Sequence, residues 1–354
     1  MIHPPQHPSD RHGAGIHVAH VVCSDGFAGV ERYIATTALA MIERGVEVSV
    51  IGGRSSAMSA ALKESGARFL PASSVAEAVA ALRCVPRPNI VNTHMSEADI
   101  AGIAFATPRG IPVVSTRHFA ARRGRKPLAR AAFRLAAPRI RAQIAISRFV
   151  ARAIGEPSTV VHTGVANVGA SDVLARKPVM LLIQRLELEK DSDIAIRAWA
   201  RSWAARAGWE LHIVGDGSQR IRLEKLARDL GASDSVRFLG YCSDVGALMS
   251  RASGLLAPTS HEGLGIAVLE AMARALPVIA SASGGHLETV GSVSDAWMFS
   301  PGDFAAAAEL IDAALANPAR YGGYGHQLQA RQRAAFSVGA QVDKTLEVYE
   351  RCTP

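Results

Sequence analysis

Apolar positions along the chain fall into short runs set between longer stretches of helical spacing. Residues 16–22 form a run that reads as a buried strand, and residues 30–43 space their apolar side chains as a helix does before Gly45 ends it. Further strand-like runs follow at 46–51, 89–93, 112–115, 143–146 and 159–161. The rhythm pauses over 164–177, a stretch rich in Gly, Ala and Ser that reads as a linker. A second series then places strands at 179–183, 210–214, 236–239, 254–257 and 277–280, and a last helix near 338–351. Strands alternating with helices predict parallel sheets covered on both faces, the α/β class. The expected layout is a disordered tail at 1–14, a first doubly wound domain at 15–168, a second at 169–335, and a C-terminal helix at 336–354 that packs back toward the first domain. Two such domains would face a central cleft, because open α/β sheets bind ligands at the carboxyl ends of their strands.

Composition narrows this picture. With 354 residues, 49% of them hydrophobic, the chain is too long for one ordinary core and suits two. No stretch of about 18 uncharged apolar residues is present, so no transmembrane helix is expected. The His- and Pro-rich start lacks the basic and apolar regions of a signal peptide. Cys23, Cys84, Cys242 and Cys352 are too scattered for a zinc site or a disulfide framework, which fits a reducing cytoplasm. The charge is uneven. Residues 1–150 hold 19 Lys and Arg against 9 Asp and Glu, whereas the remainder holds 20 against 22. The basic residues crowd between Arg117 and Arg141, including Arg122, Arg123, Arg125, Lys126, Arg130, Arg134 and Arg139. Such a face suits an anionic membrane surface or a phosphorylated acceptor; it is equally what a solvated helix face of an Arg-rich protein would show. Nucleic acid is not expected, because Phe119 and Phe133 are the only aromatics in the stretch and stacking needs more.

The candidate chemistry lies where strands end. After the run at 254–257 comes His261-Glu262-Gly263-Leu264-Gly265-Ile266, with Glu270 eight residues after Glu262. Gly263 and Gly265 let backbone approach a ligand, and a helix beginning near Leu264 would offer free amides to a diphosphate or a hydroxyl. Both carboxylates can then face the ligand; the alternative is that Glu262 caps the helix and Glu270 sits on the surface. After the run at 179–183 comes Gln184-Arg185-Leu186-Glu187-Leu188-Glu189-Lys190. Its Arg and Lys suit a diphosphate, one bidentately and the other as a point charge. Asp191-Ser192-Asp193 spells a D-x-D metal signature but reads as helix capping. Gly215 and Gly217 follow another strand, Gly26 to Arg32 opens the first helix, and His94 and His118 end strands of the first half. The spacing in the first loop is not G-x-G-x-x-G, which argues against a dinucleotide dehydrogenase.

These elements resemble the retaining glycosyltransferases of family four, which share the GT-B fold. Glu262 to Glu270 is similar to their E-x7-E element, which implies contact of Glu262 with the transferred sugar and of Glu270 with the ribose. Arg185 to Lys190 resembles their R-L-x-x-E-K element, which implies that Arg185 and Lys190 bind the donor diphosphate. The resemblance extends to Gly29 in the first loop, to Gly215, to the backbone of Gly263, Leu264, Gly265 and Ile266 on the donor side, and to His118 beside the reacting sugar. Ser283 to Glu288 is similar to the family's loop after its last core strand. His94, His118, Arg122 and Arg123 are then expected on the acceptor side. The family usually has Gly where this chain has Ala28, Asp191 and Ala275; a carboxylate at 191 would oppose a diphosphate unless it points away.

The resemblance implies a retaining hexose transfer from a UDP- or GDP-linked sugar to a cell-envelope, glycolipid, polysaccharide or small-molecule acceptor. No cofactor and no metal are expected, since Arg and Lys take the metal's part. Glu262, His118, Arg185 and Lys190 are the expected catalytic set. The expected location is cytoplasmic, at most peripheral on the inner membrane face. An epimerase or phosphorylase on the same fold, or a non-catalytic nucleotide-sugar-binding partner subunit, stands as the alternative.

Overall fold

The computed structural model describes residues 15–121, 123, 133, 136–169 and 176–353. The expected tail at 1–14, Arg122 and most of the basic run after it lie outside the described residues. The chain divides into two compact units, one running to Thr163 and resuming at Val338, the other spanning Gly164–Ser337. The boundary read from the sequence, 168/169, falls five residues later.

The first unit contains β1 (His17–Val22), α1 (Gly29–Ile42), β2 (Glu47–Ile51), α2 (Ser55–Ala61), β3 (Arg68–Leu70), α3 (Val75–Cys84), β4 (Ile90–His94), α4 (Ser96–Ala106), β5 (Val113–Arg117), β6 (Ile140–Ala145), α5 (Arg148–Ile154) and β7 (Thr159–Val160). All seven strands run parallel in the order β3-β2-β1-β4-β5-β6-β7. Alternate residues of β1 point to opposite faces, as the strand period of two requires. Val18 and Val22 join the core under α1 and α2, while Ala19 and Val21 join the one under α3 and α4. That explains why β1 is buried throughout.

The second unit contains β8 (Lys177–Ile183), α6 (Ser192–Arg201), β9 (Glu210–Val214), α7 (Arg220–Asp229), β10 (Val236–Gly240), α8 (Val245–Arg251), β11 (Ala252–Ala257), α9 (Ile266–Ala273), β12 (Val278–Ser281), β13 (Met298–Phe299), α10 (Phe304–Ala316) and α11 (Pro318–Ala335). Its six strands are also all parallel, in the order β10-β9-β8-β11-β12-β13. The last helix, α12 (Val338–Glu350), belongs to the first unit. Val342, Leu346 and Tyr349 enter the core beside α1, and Gln341 donates to Thr37 Oγ1 at 2.7 Å.

Both sheets are doubly wound. Strand order reverses between β1 and β4 in the first and between β8 and β11 in the second. The carboxyl ends of those four strands, at Val22, His94, Ile183 and Ala257, are where ligands bind in open α/β sheets.

Candidate functional site

In the second unit the chain leaves β8 at Gln184 and makes a 3-10 turn over Leu188–Lys190 before α6. Gln184 holds that turn in place. Its Nε2 donates to the Lys190 carbonyl at 2.7 Å and to Ser192 Oγ at 2.8 Å, and its Oε1 accepts from Thr259 at 2.9 Å. The turn after β11 is thereby tied to the turn after β8. Between them, Lys190 Nζ meets Glu262 Oε2 at 2.8 Å, with side chains 17% and 24% exposed. The expected diphosphate cation and the expected sugar-binding carboxylate are neighbours. Arg185 stands apart, mostly exposed and paired with Glu189 at 3.1 Å.

Glycines set how closely these turns approach. A Cβ on Gly215, whose φ is +131°, would lie 2.0 Å from the Gln184 carbonyl oxygen, and one on Gly217 would lie 2.4 Å from that of Leu186. The Gly215 loop therefore packs on the chain just before the site, and that contact alone requires glycine. On the other side, Gly285 N donates to the Glu262 carbonyl at 2.8 Å, and a Cβ on Gly284 would lie 2.5 Å from that oxygen. Helix α9 starts at Ile266, two residues later than read from the sequence, with Gly265 left-handed at its N-cap (φ 89°). Gly263 and Leu264 precede it, and Glu270 lies on the helix.

Asp191 corrects one expectation. It occupies the N-cap position of α6, yet its carboxylate makes no capping bond. Oδ2 instead accepts from Ser260 N at 2.8 Å and Ser260 Oγ at 2.6 Å. The carboxylate is committed to the turn before Glu262. No cluster of His, Cys, Asp or Glu among the described residues could hold a metal ion.

The sequence reading assigned no role to His286, which is buried beside this turn. Its Nδ1 lies 3.3 Å from the Ser281 carbonyl, and a Cβ on Gly265 would lie 3.4 Å from its Nε2. Burial lowers its pKa, against the pull of the Glu262 carboxylate, and Lys190 lowers it further. Burial of a histidine leaves no periodic trace, so only its place in the glycine loop could have drawn attention to it.

In the first unit the strand ends carry a row of histidines. His20 Nδ1 lies 3.0 Å from His94 Nε2, and His94 Nδ1 lies 2.9 Å from His118 Nε2. Tyr33 sets its ring edge-on to His94 and His118, at centroid distances of 5.7 and 4.7 Å. Burial depresses all three imidazoles: His20 to about 4, His118 to about 3, and His94 well below its ordinary value, with its two histidine neighbours adding to the effect. His94 is fully buried behind His118, so it does not line an acceptor surface as expected. Just after it, Met95 takes a φ of 76°, a costly conformation for methionine, at the turn into α4.

The basic run is also redrawn. Arg123 is buried, and its donors go to Asp99 (2.7 Å), Gln143 (2.8 Å), Glu156 (2.6 Å) and Ser115 (2.8 Å). Arg117 is buried beside it, 3.7 Å from Glu156. Arg123 ties α4, β5 and β6 together, and neither arginine is available to an acceptor or a membrane, contrary to the expectation for Arg123. The first loop keeps its expected place. Gly29 begins α1, a Cβ there would meet no atom within 4 Å, and Glu31 Oε2 accepts from Ala28 N at 2.8 Å.

Comparison with known proteins now places the chain. Residues 27–166 match the family Glycosyltransferase Family 4, and residues 170–334 match Glycosyl transferases group 1. A solved structure of HepE from Anabaena, in complex with UDP and glucose, superposes with a TM-score of 0.78 at 18% identity, covering 95% of this chain and 100% of that one. The protein is a GT-B chain, glycosyltransferase family 4-like. Among curated proteins, 2-deoxystreptamine glucosyltransferase of Streptomyces kanamyceticus is 33% identical over 144 residues, 40% of this chain and 37% of that protein. The lipopolysaccharide core biosynthesis glycosyltransferase LpsE of Rhizobium meliloti is 33% identical over 180 residues, 50% of this chain and 51% of that protein. The chain thus spans about half or less of the length of these curated relatives. In the GT-B frame, the Lys190–Glu262 pair lies in the stretch matching group 1, and His94 and His118 lie in the stretch matching family 4, which His20 precedes.

Proposed function

We propose that the protein is a retaining glycosyltransferase that moves a hexose from a UDP- or GDP-linked donor to a glycan, lipid or small-molecule acceptor without a metal ion. The observation that carries this reading is the Lys190–Glu262 pair, held between two glycine-packed turns at the carboxyl ends of β8 and β11. An ammonium here can offset charge developing on a departing diphosphate, which is where preorganised charge accelerates group transfer. Arg185, on its exposed stem, adds a bidentate grip when its Glu189 pair opens. Glu262 takes sugar hydroxyls, Glu270 the ribose, and the amides of Gly263 to Ile266 the remaining donor oxygens. The first unit supplies the acceptor side, with His118 as its polar group and Gly29 leaving room at the first loop. The relatives' names and the UDP bound to HepE support a nucleotide-sugar donor. Peripheral attachment to an anionic membrane is a further part of the proposal, although the burial of Arg117 and Arg123 removes two of the charges first counted toward it.

The test is donor turnover followed by NMR in metal-free buffer, with water or an added alcohol as acceptor. Retention predicts that the first sugar anomer released matches the donor's α linkage. Glu262→Ala is expected to fold as the parent does and to lose turnover at least a hundredfold, the scale of losing one group that acts in the transition state. A folded, fully active Glu262→Ala protein would sink the assignment.

A further inference from the structure

The loop after β12 is pressed against the turn that carries Glu262. A Cβ on Gly285 would lie 2.3 Å from the Leu264 Cα and 2.7 Å from the Gly263 carbonyl oxygen, so glycine is what permits the approach. Gly285 N donates to the Glu262 carbonyl at 2.8 Å, and Ser283 Oγ donates to the Ser260 carbonyl. The next residue, His286, is thereby fixed beside the N-cap of α9. Its ring edge faces Gly265, where a Cβ would lie 3.4 Å from both Cδ2 and Nε2. The hydrogen bond this ring makes can run in one direction only. Nδ1 lies 3.3 Å from the Ser281 carbonyl oxygen, which accepts and never donates, so the hydrogen sits on Nδ1. The ring is 2% exposed, and such burial disfavours a second proton. Nε2 is then a bare acceptor. It has no hydrogen-bond partner among the described residues, yet it is not one of their polar atoms sealed away from solvent. Glu262 raises the pKa of this ring and Lys190 lowers it, so both charges of the candidate site act on it.

We propose that His286 is a specificity residue of the donor site, whose bare Nε2 beside Gly265 accepts a hydrogen bond from a ligand hydroxyl. A lone pair repels the oxygens of a diphosphate, which bring no hydrogen, so this nitrogen does not serve the phosphates. The group that suits it is an O–H, on the transferred sugar or on the ribose. A buried acceptor left without its hydrogen weakens binding, so a ligand lacking that hydroxyl is rejected. That Lys190 and Glu262 mark a donor site is the transferase reading on which this assignment rests; the tautomer stands without it.

The experiment joins long-range ¹H–¹⁵N NMR of the full chain, labelled with ¹⁵N-histidine, to calorimetric titration with UDP, GDP, UDP-glucose and GDP-mannose at neutral pH. The His286 signals are assigned by their loss in the variants. The free protein is expected to show a hydrogen on Nδ1 and a bare Nε2. Saturation with a ligand that binds should move the Nε2 signal upfield, the mark of an engaged lone pair. A response to the free nucleotide assigns the hydroxyl to the ribose, and a response to the nucleotide sugar alone assigns it to the sugar. His286→Asn keeps an N–H for Ser281 but has no atom at the Nε2 position, so it should fold as the parent does and weaken binding by about three- to tenfold. His286→Gln reaches the Nε2 position with its amide and should recover most of that loss. A ring whose sole task is its bond to Ser281 predicts the opposite ranking. A bare Nδ1 in the free protein, a ligand that binds without moving Nε2, or that opposite ranking would overturn the proposal and leave the donor site standing. Binding of none of the four ligands would remove the donor site, and the role given to Nε2 with it.

Discussion

Asp191 adopts φ 52° and Ala275 also adopts φ 52°, in the left-handed region where glycine is favoured and other residues incur roughly 1–2 kcal/mol of strain. Asp tolerates that region better than most residues, and here its carboxylate gains two hydrogen bonds from Ser260. Two of the three positions that depart from the glycine of the resembled family thus keep the backbone that glycine would give. Ala28 is different: its φ of −119° makes no demand for glycine at all. The histidine row gives a pH signature. The folded values for His20 and His118 lie near 4 and 3, whereas an unfolded imidazole titrates near 6.5. The unfolded chain therefore binds more protons between those limits. Stability should be complete above about pH 6.5 and fall as the pH drops toward 4, by roughly 1.4 kcal/mol per pH unit for each histidine held neutral. Urea unfolding at pH 7, 6 and 5 checks this; a flat profile, or one no flatter in His20→Asn, would count against a buried neutral row.

At the scale of elements, the turns matter more than the helices. The Gly215 loop and the segment from Gln184 to Leu186 touch backbone to backbone, and Leu186 N donates to Asp216 O at 2.9 Å. Gly215→Ala would add both a clash and a strained φ, so it is expected to cost about 3 kcal/mol. It should weaken nucleotide binding too, because the displaced segment leads straight into Arg185 and Lys190. A variant with parental melting temperature would show that the contact is not tight. Sequence patterns announced β1, β8 and β11 clearly, since strands covered on both faces are mostly apolar runs. They missed β3 and β13, edge strands of three and two residues that are too short to show a period. The turns after β8 and β11 could be read from residue type and position. Which charge meets which could not: Lys190 against Glu262, Asp191 against Ser260 and Arg123 against Asp99 are 72, 69 and 24 positions apart. Such pairings come from tertiary packing, which a single chain's pattern does not encode.

At the scale of the whole molecule, the positive excess first read as a recognition surface is partly structural. Two of its arginines are neutralised inside the first unit by Asp99 and Glu156, and no described helix is long and apolar enough to cross a membrane. The metal-free nucleotide-sugar site proposed for the second unit is built on Lys190 and Glu262. Its most direct test is the melting temperature of the full chain titrated with UDP, GDP, ADP and dTDP in chelator. A nucleotide at about a hundred times its dissociation constant should add roughly 2.7 kcal/mol of stability. Lys190→Ala should weaken binding by about ten- to a hundredfold, the loss of one charge-assisted contact. A selective shift with one base, reduced in Lys190→Ala, is the result predicted; no shift with any of the four, or an undiminished shift in that variant, would contradict the claim.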